Sequence, residues 1–243
     1  MRVRSQIALH AADCLCVDAP SALTMATCCE LLHTASLIHD DLQDRDYLRR
    51  GKQAVWSLFG DDVALCAGDL LFLEAYWALS DVTDNAAIPR LVAPTHAAVA
   101  QIIHGQASPA LPPHADFHRL AAYQVMAGAK SGPLLSLPFA LVLSYCNRPD
   151  LAATSVRAVR AFSIAYQIAD DLADLEAETR TARGAATNIV VVLETSGGRD
   201  RATAKMAADQ MARIRLAEGA CHSGRSAKRD RRDPVRACPT HHL

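Results

Sequence analysis

The sequence predicts an all-α protein, and three observations carry this. Alanine and leucine dominate a chain that is 51% hydrophobic and only 5% aromatic, which favours helices. Strand-type alternation is scarce, and no strand pair with hairpin chemistry stands out. Apolar residues recur at helical spacing over long segments, and two of these end in the same acidic pattern: D-D-L-Q-D at residues 40–44 and D-D-L-A-D at residues 170–174.

The elements follow in order. Residues 5–17 read as a helix closed by V-D-A-P-S. Ser21 is placed to cap the next helix, which runs from about residue 22 to Asp44 with Leu23, Leu31, Leu32 and Leu37 on its apolar side. R-D-Y-L-R-R-G-K-Q is polar, contains Gly51 and reads as a loop. Further helices are expected at 59–79, 87–106, 116–129, 132–145 and 151–175. Proline-rich breaks at 107–113 and 147–150 separate them. The run N-I-V-V-V-L at 188–193 is β-branched and fits helix or strand. From Glu218 onward apolar periodicity fades and arginines accumulate. The expected division is therefore a domain over 1–217 and a disordered basic tail over 218–243.

Composition bounds the function. A net charge of −1 gives no global pull toward nucleic acid, and no nucleic-acid partner is expected. None of the eight cysteines forms a C-x-x-C pair or a zinc spacing with histidine, so buried free thiols are expected. His10 and Asp13 interrupt the first apolar run, which therefore does not read as a signal peptide. The stretch 133–146 is too short to span a bilayer and contains Pro138. The expectation is a cytoplasmic protein with no integral membrane segment.

The repeated acidic pattern carries the chemistry. On a helix Asp40 and Asp44 lie one turn apart on one face, with Asp41 beside them; Asp170, Asp171 and Asp174 repeat this. Two unit charges about 4 Å apart repel by about 4 kcal/mol at an effective dielectric near 20. A chain that places carboxylates this way twice on apolar helices calls for a counterion. Hard carboxylate oxygens suit Mg²⁺, which binds through one or two of them plus substrate phosphates. One such motif alone is as often a solvated helix end; its repetition favours a Mg²⁺–diphosphate site between two facing helices.

The stretch H-T-A-S-L-I-H-D-D-L-Q-D-R-D-Y-L-R-R-G, residues 33–51, closely resembles the first aspartate-rich region of the trans-isoprenyl diphosphate synthases. A-G-D-L-L (67–71), G-Q (105–106), G-A-K-S-G (128–132) and Y-Q-I-A-D-D-L-A-D (166–174) resemble later landmarks of that family in the same order. The resemblance covers about residues 2–195. It implies an isoprenoid synthase-type helical bundle around a central cavity, with the aspartate motifs facing across its mouth, and a homodimer. It also implies condensation of isopentenyl diphosphate with an allylic diphosphate.

The resemblance also implies roles residue by residue. Asp40, Asp41, Asp44, Asp170, Asp171 and Asp174 match positions that hold Mg²⁺, three ions in the family's pattern, on the allylic diphosphate. Arg49, Lys130 and Ser131 match the allylic-diphosphate site, with Ser131 where threonine is usual. Arg4, His33 and Arg50 match contacts to isopentenyl diphosphate, and Gln167 matches a glutamine near the reacting carbons. Taken singly, Arg49 and Arg50 read as a basic loop, His33 as a core histidine and Lys130 as an exposed lysine. Their joint occurrence in the family's order favours the functional reading. Ala35 and Ser36, five and four residues before Asp40, stand where bulky aromatics would stop growth at farnesyl diphosphate. Their small size implies a product of geranylgeranyl length or longer, with Leu32 as the next floor; close helix packing is the alternative.

The chain departs from the pattern at both ends. M-R-V-R-S stands where the family has a helix and G-K-x-x-R-P, so only Arg4 remains of that motif. The basic tail stands where helices usually close the bundle. The expectation is a bundle lacking parts of both ends. The competing readings are a non-catalytic partner subunit of an active synthase and a class I terpene cyclase; the second complete D-D-x-x-D disfavours the cyclase.

Overall fold

The computed structural model describes residues 2–107, 119–176 and 188–230; the side chains of Lys130, Ser131 and Asp174 lie outside that description. The architecture is a helical bundle, as the composition requires. Helix α1 spans Val3–Cys14 and α2 spans Ala19–Asp44. A two-stranded antiparallel hairpin follows, β1 at Leu48–Arg49 and β2 at Lys52–Gln53. Then come α3 (Val55–Phe59), α4 (Asp61–Ala78) and α5 (Ile88–Ala107). The chain continues through α6 (Arg119–Tyr145), α7 (Ala152–Glu176), α8 (Ile189–Gly197) and α9 (Arg201–Asp230).

Helix α2 is the axis of the first half and packs against α1, α4 and α6. Its buried Met25, Cys28, Cys29 and Leu32 join Leu79, Leu91, Ile102 and Leu137 in one apolar core. A second core gathers Tyr123, Ile164, Ile168, Ile189, Val190 and the alanines 204, 208 and 212 where α7, α8 and α9 meet. Gly68 sets the approach of α4 to α2: a Cβ there would lie 2.1 Å from His39 Nε2, so only glycine lets the imidazole sit against α4.

Several expectations are corrected. Asp18, not Ser21, caps α2: its Oδ1 accepts from the Ser21 N–H at 2.9 Å, and a proline opens the helix. Ser21 is buried, and its hydroxyl instead pairs with Thr83 and Tyr145. Leu23 is exposed rather than in the core. The loop after Asp44 contains the small hairpin, whose strands are too short to show alternation. The helices expected at 116–129 and 132–145 are one, with Pro133 and Pro138 inside it. Residues 189–197 are helical because the Asn188 side chain accepts from Val190 N at 2.8 Å and starts a turn. Helix α9 runs to Asp230, past the point where the tail was expected to begin. Cys28 and Cys29 are buried free thiols, but Cys14 and Cys66 are exposed, and Cys16 is disulfide-bonded to a partner outside the described side chains.

Two segments are long and apolar enough to cross a membrane by length and composition, Ala19–Asp44 and Asp61–Asp81. The first is a core helix of the bundle. The second is only 22% buried over its apolar window.

Candidate diphosphate and cation site

Helix α2 brings His33 and the first acidic motif to one end of the bundle, and the Asp44–Arg45 break turns the chain into the hairpin. Arg45 takes a left-handed conformation (φ 57°), and its N–H bonds back to Asp41 O. Arg50 and Gly51 are also left-handed (φ 52° and 76°) and make the hairpin tip. This geometry folds Arg49 back over α2. Its Nε donates to Asp41 Oδ1 at 2.7 Å, and its Nη2 donates to the same oxygen. Burial alone would pull Arg49 down, but Asp41, Asp40 and Asp46 outweigh it and hold the guanidinium above its ordinary pKa.

Arg4 enters from α1 and is buried, and among the described residues its Nε has no hydrogen-bond partner. Burial lowers its pKa, and Tyr166 and Glu30 offset this only partly. His33 Nδ1 is likewise buried without a partner. Burial, then the nearby Arg4, Arg50 and Arg49, push the His33 imidazole down to about 3. Four basic side chains from α1, α2 and the hairpin thus converge, and two present buried donor or acceptor atoms that nothing among the described residues satisfies. Such atoms cost free energy unless a ligand meets them. The arrangement suits a polyanion.

The first acidic motif lies beside this cluster, and the members of the two motifs differ. Asp40 Oδ1 accepts from Gln106 Nε2 of α5 at 3.0 Å. Asp44 is half-buried and Asp170 is exposed. Asp41 and Asp171 are buried at 5% and 4% exposure. Asp171 accepts from Tyr123 Oη (2.9 Å), Gln167 Nε2 (3.0 Å) and Ile189 N (2.8 Å), while Asn188 Nδ2 donates to its carbonyl (2.7 Å). The middle aspartate of each motif is therefore committed to holding the protein together. Asp40, Asp44 and Asp170 are less deeply buried than these two.

Among the described residues no three His, Cys, Asp or Glu side chains converge into a ready metal site. Acids supplied in ones and twos fit Mg²⁺, which completes its shell with water and phosphate oxygens rather than a protein cage. Gln167, expected near the reacting carbons, spends its amide on Asp171. Leu32 and Ala35 are wholly buried and Ser36 nearly so, with the Ser36 hydroxyl donating to His33 O at 2.9 Å. The roles expected of Lys130, Ser131 and the Asp174 carboxylate fall outside the described side chains. Tyr123, Asn188 and Gln106 were not anticipated as partners of the acids. Asn188 carried a local signal, a cap residue ahead of an apolar run, and Gln106 lies in the G-Q landmark.

The family model described as "Polyprenyl synthetase" matches residues 1–188. A short chain isoprenyl diphosphate synthase of Methanocaldococcus jannaschii is 33% identical over 160 residues, 65% of this chain and 48% of that protein. A (2E,6E)-farnesyl diphosphate synthase of Mycobacterium bovis is 31% identical over 171 residues, 70% of this chain and 47% of that protein. The chain thus spans about half the length of these curated relatives. The solved geranylgeranyl pyrophosphate synthetase of the archaeon Geoglobus acetivorans superposes with a TM-score of 0.72 at 24% identity, covering 91% of this chain and 78% of that one. At that identity the likeness establishes the fold.

Proposed function

Because the chain belongs to the polyprenyl synthetase family, we propose that it is a Mg²⁺-dependent prenyltransferase that joins isopentenyl diphosphate to an allylic diphosphate. The observation that carries this reading is the convergence of Arg4, His33, Arg49 and Arg50, with orphaned buried atoms on two of them, next to the acidic motif of α2.

The reaction breaks an allylic carbon–oxygen bond, forms a carbon–carbon bond with the isopentenyl double bond, and releases diphosphate and a proton. Mg²⁺, when bound, supplies charge neutralisation on the departing diphosphate. Asp40, Asp44 and Asp170 are the residues that would hold it, with Asp174 of the same motif. Gln106 orients the Asp40 carboxylate from α5. Arg49 serves both sides: it is fixed by Asp41, and its guanidinium remains a fork suited to phosphate. Arg4, neutral His33 and Arg50 take the second diphosphate. The departing diphosphate is the proton acceptor in this reading, so the reaction requires no dedicated protein base.

The small, buried Ala35 and Ser36 support a product of geranylgeranyl length or longer. The relatives' names span short-chain, farnesyl, geranylgeranyl and solanesyl products, so length rests on these two side chains. The active form is a homodimer in a cytoplasmic setting. Val63, Cys66, Leu70, Leu73 and Trp77 of α4 are all exposed and follow 3-4 spacing, the seam one helix offers another. A thermal melt tests the site: Mg²⁺ with a bisphosphonate raises Tm by linkage, and Asp40→Ala reduces the rise. No rise in the parent protein sinks the reading.

A further inference from the structure

The hairpin that carries Arg49 and Arg50 is fastened to the start of α4 through Asp61 and to α3 through Trp56. On the entry side, Arg45 Nη1 and Nη2 donate in parallel to Asp61 Oδ1 and Oδ2 at 2.7 and 2.8 Å. The same guanidinium lies 5.0 Å from the centroid of the Trp56 ring. On the exit side, Trp56 Nε1 donates to Asp46 O at 2.9 Å, and its ring packs on Tyr47 at 4.8 Å. Ala54 N closes the loop on Tyr47 O at 2.9 Å. Between these fastenings lie only the paired Leu48–Gln53 and Arg49–Lys52 rungs and the left-handed tip at Arg50 and Gly51. The angle of the hairpin, and so the backbone position of Arg50 and of Arg49, whose guanidinium Asp41 also holds, follows from where Arg45 and Trp56 hold its ends.

We infer that the Arg45–Asp61 ion pair, stacked on Trp56, is a positioning device that sets how Arg49 and Arg50 are presented to a diphosphate. This rests on the reading that those arginines bind one. The pair is solvent-exposed on both sides, 55% and 53% of the side-chain surface. An exposed pair adds little to global stability. Its parallel two-bond fork, however, fixes direction as well as distance. Small misplacements of a binding group cost heavily in function. The device therefore acts on ligand binding and leaves folding nearly untouched, which separates positioning from a merely structural role.

The test is calorimetric titration of the full chain with inorganic diphosphate, without divalent metal, together with thermal melts. The variants are Asp61→Asn, Arg45→Lys and, as control, Asp62→Asn. Asp62 shares the first turn of α4, so its loss removes the same helix-end charge without touching Arg45. Asp61→Asn is expected to weaken diphosphate binding about ten-fold, Arg45→Lys to fall between it and the parent, and Asp62→Asn to bind as the parent does. All are expected to melt together. Equal affinity for Asp61→Asn and Asp62→Asn overturns the inference while the diphosphate reading stands. So does a loss of affinity matched by a loss of Tm in both Asp61→Asn and Arg45→Lys. A parent that takes up no diphosphate overturns the reading itself, and the inference with it.

Discussion

The Tyr123 hydroxyl of α6 donates to Asp171 Oδ2 of α7 at 2.9 Å, across 48 residues of sequence and with both side chains buried. The same oxygen receives the Ile189 N–H that opens α8. One carboxylate thus ties three helices together at the second acidic motif, leaving Asp170 beside it exposed.

Replacing Asp171 by alanine strands the Tyr123 hydroxyl and the Ile189 N–H. Unfolding by denaturant should show a loss of about 3 kcal/mol, against about 1–2 kcal/mol for Tyr123→Phe. The double variant should fall short of the sum by more than about 0.5 kcal/mol, because both changes remove one shared contact. Strict additivity would show that the contact contributes nothing in solution.

The His33 imidazole should stay neutral in the folded protein until about pH 3, because burial and the arginines Arg4, Arg50 and Arg49 disfavour its charge. The unfolded chain takes up that proton near pH 6.5. Between these values only the unfolded state is protonated, so stability is lost as pH falls, by up to about 1.4 kcal/mol per pH unit from this group. His33→Gln should flatten that slope. Added diphosphate, by offsetting the arginine field, should move the titration upward in an NMR pH series. An imidazole titrating between pH 6 and 7 in the free protein contradicts this.

Ala35→Phe and Ser36→Phe each place a ring in a wall that already has no exposed surface at Ala35 and little at Ser36. Both should shorten the prenyl product, at a cost of about 1–3 kcal/mol in stability from overpacking. Chromatography of the products decides the point. Unchanged lengths in folded variants mean these residues pack helices and do not bound the chain.

The α4 stripe predicts self-association. Sedimentation of the parent should give a dimer, and Leu70→Glu with Leu73→Glu should give a monomer, since a charge in a helix seam is left unpaired. A monomeric parent that instead pelleted with lipid vesicles would assign the stripe to a membrane surface.

The helices that build the site were legible from apolar spacing: α2, α4, α5 and α7 fall within three residues of their expected bounds. The acids and the arginines proposed for the site were chosen from motif order, which is a property of the sequence. The division of labour within each motif was not. Asp40 and Asp41 are neighbours with identical side chains, and only the turn of α2 sends one toward Gln106 and the other under Arg49. The α8 start was hidden because its β-branched run outweighed a single cap residue. The Arg45–Asp61 clasp spans 16 residues and a hairpin with two-residue strands, which no periodicity reports. The α4 seam was open to inspection at 3-4 spacing, but spacing alone does not say that a face lacks an internal partner.

The most direct measurement of the central claim is turnover. The full chain is incubated with Mg²⁺, farnesyl diphosphate and labelled isopentenyl diphosphate, and the products are resolved by chain length. The account predicts label in prenyl diphosphates of geranylgeranyl length or longer, lost in Asp40→Ala and in Arg50→Ala. No extended product from the chain alone, with activity appearing only when a full-length homologue is added and persisting in both variants, would contradict it and make this chain a non-catalytic partner.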